Sequence, residues 1–225
     1  MDSLKSMILP KSGIKKSKPE RIMVSIVRDL FLVVLIILLL PVYLILSVLI
    51  YLFSGWPVFY VQKRVGLEGR VFKIYKFRTM VNGAEVKQKD LRKINEVDGP
   101  VFKIRNDPRL TGIGKFLSHS GLDELPQFFN VLKGDMNLIG PRPLPVSEAE
   151  KIGKKYKSKR EKVRPGILSP WILNGYHRLP FDEWMKSDIS YIKKKSLIYD
   201  LRISFRSIFF FFRLILETIK ETLVS

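Results

Sequence analysis

The sequence predicts an α+β protein, mainly helical. A compact domain is carried on a re-entrant N-terminal membrane helix broken near Pro41, with amphipathic helices at the membrane interface. Three observations predict this. Residues 30–53 are 24 consecutive positions without a charge. Residues 54–80 gather β-branched and aromatic residues on either side of Gly66 and Gly69. The rest alternates short helical patterns with Pro/Gly loops and closes on a long stretch with apolar residues at helical spacing. A length of 225 residues fits one or two domains.

The apolar run comes first. As a straight helix it covers about 36 Å, enough for a hydrocarbon core of about 30 Å. It has no polar stripe, unlike a buried helix of a soluble protein. It is too long for a signal-peptide core, and no small-residue cleavage site follows. Residues 1–29 carry seven Lys/Arg against three acids, and residues 54–80 carry six against one. Both flanks therefore meet the positive-inside rule. Pro41 removes a backbone donor and its ring collides with the carbonyl of Ile37, so a kink is expected there. Two arms of about 17 Å would reach halfway into the bilayer and back. That favours a hairpin with both ends cytoplasmic, although backbone groups freed at the bend then need partners within the protein. A single kinked spanning helix remains the alternative.

Four regions follow. Residues 1–20 form a basic, flexible N-terminus whose Lys15, Lys16 and Lys18 suit anionic headgroups. Residues 21–53 are the membrane helix, 54–196 the compact domain, and 197–225 a C-terminal helix. In the domain, 58–61 and 71–75 read as strands of a hairpin. Residues 82–98 are a charged surface helix or loop. Residues 122–134 read as a helix closed by Gly134, and 140–145 (GPRPLP) as a loop. Residues 149–160 read as a charged helix, 164–171 (RPGILSPW) as a second loop, and 181–195 as a helix. The tail places Ile198, Leu201, Phe205, Ile208, Phe209, Phe212, Ile215, Leu216 and Ile219 at helical spacing, interrupted by Arg202, Arg206, Arg213 and Lys220. It is either an amphipathic helix in the membrane interface or a helix packed on the core.

Composition narrows the chemistry. Lys and Arg number 40 and Asp and Glu 21, a net charge of +19, which calls for a polyanionic partner. A hydrophobic content of 46% excludes a disordered basic tail. The absence of Cys excludes disulfides, thiolate zinc sites and a thiol nucleophile, and two His exclude a His-rich metal site. Catalysis must rest on carboxylates, Lys, Arg, Ser, Thr or Tyr. Aromatics are not interleaved with basic residues as in an RNA module, so nucleic acid is not expected as the partner.

Three segments join phosphate-binding residues to tight turns: KFRTM (76–80), NDPRLTGIG (106–114) and LDELPQFFNVLKGDMNLIGPRP (122–143). With Asp123 as N-cap, Pro126 falls at N3 and the helix runs on to Lys133. Asp123 and Glu124 then either cap the helix and complement its dipole, or serve chemistry from the same place. A carboxylate at a helix N-terminus stays ionised and can attack phosphorus to form an acyl phosphate. Its neighbour could hold a divalent cation or move a proton. Arg142, between two prolines, and Arg164, before Pro165, suit bidentate phosphate recognition. Lys76, Arg78 and Arg109 are further phosphate-binding candidates, with ordinary surface charges as the plainer reading. Asp188 is a lone acid, and such acids are more often structural.

The motifs YKFRTM, DPRLTGIGKFL, LDELPQFFNVLKGDMNLIGPRPL and VRPGI, in this order after an apolar N-terminal segment, resemble the bacterial sugar transferases acting on polyprenol phosphate, the monotopic phosphoglycosyl transferases. The likeness spans roughly residues 24–203. It implies transfer of a sugar-1-phosphate from a UDP-sugar to undecaprenyl phosphate with release of UMP. It also implies Mg²⁺, a covalent phosphosugar–enzyme intermediate, and a place on the cytoplasmic face of the bacterial inner membrane among anionic lipids. It leaves a homodimer open. By this resemblance Asp123 is the nucleophile and a magnesium ligand, and Glu124 assists proton or metal handling. Lys76, Arg78, Arg109, Arg142, Arg164 and Asp188 serve the substrates.

The chain departs from the family pattern in two places. Family members usually carry one or two Arg before the dyad, where this chain has Ser118 and His119. A protonated His119, or another Arg, would have to take that part. The family's RPGITGWAQVNGR is here RPGILSPWILNGYHR, with the Trp shifted to Trp171. These departures motivate an alternative: an inactive relative that binds lipid phosphate as a membrane scaffold.

Overall fold

The computed structural model describes residues 18–173 and 179–224. The basic stretch 1–17 and residues 174–178, part of the segment that departs from the family pattern, lie outside the described residues.

Lys18–Ser54 form α1, a single helix of 37 residues with Pro41 inside it. The helix runs through Pro41 without a gap. A proline inside a helix withholds one backbone donor and crowds the carbonyl four residues before it, which bends a helix more readily than it ends one when neighbours hold both sides. Such holding contacts are present here. Leu32 is fully buried in a cluster with Ile74, Val131, Met136 and Ile167. Tyr43, Leu46 and Ile50 are buried in another with Val58, Phe77 and Leu117. One stripe of α1 therefore lies against the domain from position 32 to position 50. The opposite face is bare: Ile37, Leu38, Leu44, Ile45 and Leu52 are each 59–70% exposed. Such a patch is far larger than soluble proteins leave wet, and the protein is membrane-associated.

The hairpin is as predicted, with longer strands. Phe59–Val65 (β1) pairs antiparallel with Val71–Phe77 (β2), and a 3-10 turn at Leu67–Gly69 joins them. Ala84–Lys87 (α2) and a 3-10 turn at Asp90–Ile94 occupy the charged stretch after it.

Gly112–Ser120 form α3, which begins inside the NDPRLTGIG segment (106–114) that the sequence reading associates with tight turns. Thr111 caps it, its Oγ1 accepting from the Gly114 N–H at 3.0 Å. Gly114 lies in α3 because a Cβ there would stand 1.8 Å from the Thr79 carbonyl oxygen. α4 spans Gln127–Leu132, and Gly134 follows with the positive φ expected of its closing glycine. Asn137–Ile139 (β3) and Gly166–Leu168 (β4) form a small parallel pair. The charged helix expected over 149–160 is two pieces, Val146–Ala149 (α5) and Lys154–Arg160 (α6), because Gly153 opens a new helix. Pro170–Leu173 (α7) and Phe181–Lys194 (α8) follow.

The tail, Leu197–Val224, is α9. One face packs on the domain and the other is apolar and bare. Ile203 is buried in the core, and Phe210, Phe211 and Leu214 face the domain. Leu201, Phe205, Ile208, Phe209 and Phe212, on the other side, are each 60–65% exposed.

Arg78, expected at a phosphate, is used elsewhere. Its guanidinium donates to the carbonyl oxygens of Ser54, Gly55 and Trp56 and to Asn82 Oδ1. These carbonyls close the C-terminus of α1, where helices leave acceptors unsatisfied and favour cations. Arg78 thus fastens the apolar helix to the strand end. Arg78→Met is expected to lower stability by about 2 kcal/mol or more, read by denaturant unfolding of the solubilised protein. Arg78→Lys should recover only part, because one ammonium cannot serve three carbonyls in a planar fork.

Candidate active site

The acid pair sits on a turn whose shape comes from its neighbours. Gly121, at φ 75°, ends α3 and turns the chain directly into the 3-10 turn Leu122–Glu124. Asp123 lies inside that turn and is not the cap of α4. Pro126 itself holds the position before Gln127, so the capping geometry expected from the sequence is replaced. Leu122 and Leu125 pack into the α1 cluster, which turns the acids the other way. The Tyr43 hydroxyl of α1 donates to the Leu125 carbonyl at 2.6 Å, one residue beyond Glu124.

Opposite the turn stands Lys76 of β2. Its Nζ donates to Asp123 Oδ2 at 3.1 Å and to Glu124 Oε1 at 2.8 Å. Fully buried Asn130 of α4 sets the height of Lys76. Its Oδ1 accepts from the Tyr75 N–H at 3.0 Å and its Nδ2 donates to the Lys73 carbonyl at 2.7 Å, pairing the free edge of β2. Arg142 adds a second grip on Glu124, Nη2 to Oε1 at 2.9 Å.

Burial, the largest influence, pushes the Asp123 carboxyl above its ordinary value. Lys76 opposes that and the Glu124 charge adds to it. Burial acts on Glu124 too, but Arg142 and Lys76 outweigh it and hold that carboxyl well below the carboxylate range. Glu124 is thus the fixed charge of the pair, and Asp123 is the one that takes a proton as pH falls.

Arg142 rides on a clamped loop. Arg64 Nη1 donates to the Pro143 carbonyl at 3.0 Å, and Arg160 Nη2 donates to the carbonyl of Arg142 itself. The glycines of the GPRP and RPG motifs have a shared reason: their backbones touch. A Cβ on Gly166 would stand 2.0 Å from the Gly140 nitrogen. Gly166→Ala is therefore expected to destabilise the protein by about 1–3 kcal/mol and displace the Arg142 loop, seen as a lower melting temperature.

The acids open into a cleft of about 840 Å³, counting its mouth, walled by Lys76, Lys103, Arg105, Arg109, Arg142, His119 and, from α9, Phe210, Phe211 and Leu214. Lys76, Asp123, Glu124 and Arg142 are brought together there. Arg109 reaches the wall but is already engaged: its Nε and Nη2 take Asp107 at 2.9 and 2.6 Å, and its Nη1 takes the Ala84 carbonyl at 3.0 Å. Arg164 is exposed and is not among the residues lining the cleft. Asp188 is also outside it, fully buried in an ion pair with Arg160. It shares the inner face of α8 with Trp184, Met185 and Tyr191. Through Arg160 it supports the Arg142 backbone.

The sequence reading passed over Lys103 and Arg105. The signal was their place just before the DPRLTG motif. The backbone carbonyl of Arg105 contacts His119 Nε2 at 2.9 Å, and its Nη2 meets Glu221 of α9 at 3.1 Å. Arg105 and His119 thus adjoin, and both side chains approach Glu221.

Two carboxylates so close together suit a hard, oxygen-preferring cation such as Mg²⁺, which commonly takes one or two protein carboxylates and completes its shell with phosphate oxygens and water. Among the described residues no third acid or histidine joins them in a metal-binding group.

Fold and site together define a membrane-associated protein with a paired-carboxylate site in a cleft that attracts anions. The chain belongs to the bacterial sugar transferase family, whose pattern it matches over residues 20–214. It is 46% identical over 151 residues to the galactosyl transferase CpsE of Streptococcus agalactiae, covering 67% of this chain and 33% of that protein. It is 35% identical over 191 residues to the UDP-glucose:undecaprenyl-phosphate glucose-1-phosphate transferase of Escherichia coli, covering 81% of this chain and 39% of that one. With the exopolysaccharide production protein ExoY of Rhizobium meliloti it shares 34% over 175 residues, 75% of this chain and 76% of the relative. The chain thus spans about a third of the first two relatives and most of the third.

Proposed function

We propose that this chain transfers a sugar-1-phosphate from a UDP-sugar to undecaprenyl phosphate, giving a polyprenyl-diphosphate-sugar and UMP, at the cytoplasmic face of the bacterial inner membrane. This is the first membrane step of glycoconjugate assembly. The observation that carries the reading is the seat of the acid turn. Leu122 and Leu125 pack on α1, and Tyr43 holds the Leu125 carbonyl. A phosphate tethered to a long lipid cannot rise far from the headgroups, and this arrangement keeps the acids at the level of the apolar helix. The names of relatives point the same way: several carry undecaprenyl phosphate, with glucose in one and N-acetylgalactosamine in another.

The helix α1 is read as lying in one leaflet with both ends on one side. Its contact stripe, positions 32–50, takes up most of the apolar run 30–53. A helix crossing the bilayer would draw the charged domain into the hydrocarbon alongside it, at a cost of several kcal/mol for each buried charge. The exposed apolar face of α9 lies in the interface, with Arg202, Arg206 and Arg213 at headgroups.

The chemistry follows from the side chains. An Asp123 carboxylate oxygen attacks the donor phosphorus that bears the sugar. A new O–P bond forms, the bond to the bridging oxygen breaks, and UMP leaves with the electron pair. An oxygen of undecaprenyl phosphate then attacks the same phosphorus and returns Asp123 as a carboxylate. Lys76 keeps Asp123 ionised for the first step, and Arg142 orients Glu124 and phosphate oxygens. Asp123, with Glu124 beside it, would hold Mg²⁺, which when bound offsets charge on the transferring phosphoryl group.

The test uses the full chain in lipid with undecaprenyl phosphate, Mg²⁺ and a panel of UDP-sugars. UMP release with one or more donors is the expected result. Binding of undecaprenyl phosphate without UMP release across a broad panel would favour the scaffold reading.

A further inference from the structure

Lys103 occupies a place that packing alone does not explain. It lies on an irregular segment, yet its backbone is pinned on both sides: its N–H donates to Asn95 Oδ1 at 2.7 Å and its carbonyl accepts from the Glu96 N–H at 3.0 Å. Its ammonium stands 4.7 Å from the centroid of the Trp171 ring. The Arg142 guanidinium approaches the same ring at 5.6 Å. Trp171 is buried and stacks on Trp184 with centroids 4.7 Å apart, so the support is rigid. Both cations line the cleft that holds Asp123 and Glu124.

An aromatic face attracts one cation. Two cations on one ring, partly stripped of water, repel each other. Burial first, and then the Arg142 charge, pull the Lys103 ammonium well below its ordinary pKa. Such an arrangement is favourable once an anion enters between the two charges, since charge-assisted hydrogen bonds to a phosphate relieve the repulsion. The cleft lining carries five Lys and Arg side chains (Lys76, Lys103, Arg105, Arg109, Arg142) against three carboxylates (Asp107, Asp123, Glu124), an excess of positive charge that suits a ligand with several negative oxygens.

We propose that Lys103, supported with Arg142 on the Trp171 ring, is a further phosphate-binding side chain of this site. The assignment rests on the transferase reading above. The phosphate is that of the nucleotide donor or that of the lipid acceptor, and the two are separated by experiment.

The full chain in nanodiscs is titrated calorimetrically with UDP and, separately, with undecaprenyl phosphate. Lys103→Met is expected to raise the dissociation constant of at least one probe by about tenfold, while Lys103→Arg stays within about threefold of the unaltered protein. Weakening with UDP alone assigns Lys103 to the donor, and weakening with undecaprenyl phosphate alone assigns it to the acceptor. The melting temperature should not move, and Lys103→Gln replaces Lys103→Met if the latter does not fold. Unchanged affinity for both probes in a folded Lys103→Met variant overturns this assignment and leaves the transferase reading intact. An unaltered chain that binds neither probe overturns the transferase reading and this assignment with it.

Discussion

Replacing Asp123 by Asn is expected to stop turnover, with UMP release falling by about three orders of magnitude or more. The substitution keeps the shape of the side chain and removes the negative oxygen that would attack phosphorus. Intact-protein mass spectrometry gives a second readout. Incubation of the unaltered chain with a UDP-sugar alone should add the mass of one sugar phosphate, and Asp123→Asn should stay unmodified. Glu124 is the natural rival, being the neighbouring carboxylate with the same lysine. Peptide mapping decides between them, because an adduct carried on Glu124 would remove the assigned nucleophile. A fully active, folded Asp123→Asn would do so as well.

Lys76→Met is expected to lower kcat/KM by about a hundredfold at neutral pH, and the loss should depend on pH. The working form of Asp123 is ionised, so activity falls as pH drops through its pKa. Burial and the Glu124 charge already hold that pKa above the ordinary 3.8, and Lys76 is the strongest influence drawing it back down. Without Lys76 the pKa rises further, and the acid limb of the kcat/KM profile moves to higher pH. Raising the pH should then recover part of the activity in Lys76→Met. A lysine that served only as scaffolding would leave the acid limb where it is, at a lower plateau.

The way each residue became legible differs. The acid pair, Lys76 and Arg142 each stand in a short motif that the sequence singles out, the acids and Arg142 next to Gly or Pro turns and Lys76 at the end of a strand, and the structure brings the four together. Arg78 stands in an equally suggestive motif, yet it closes the end of α1, which passes over it in space 22–24 residues earlier in the chain. Asp188 was drawn toward the substrate by resemblance, and its partner Arg160 came from a helix read only as charged. Lys103 lacked any motif of its own. Its significance arises from Trp171, which is distant in sequence.

The sequence by itself determined the apolar helix, the hairpin, the family and the acid pair, since these depend on runs and periodicities that neighbouring residues carry. The tertiary structure decided which cations face the acids, which are spent on carbonyls or on Asp107, and that α9 has one face on the core and another left bare. The physical reason is that charge pairing and desolvation act across space within a few ångströms, whereas hydropathy and backbone preference act along the chain.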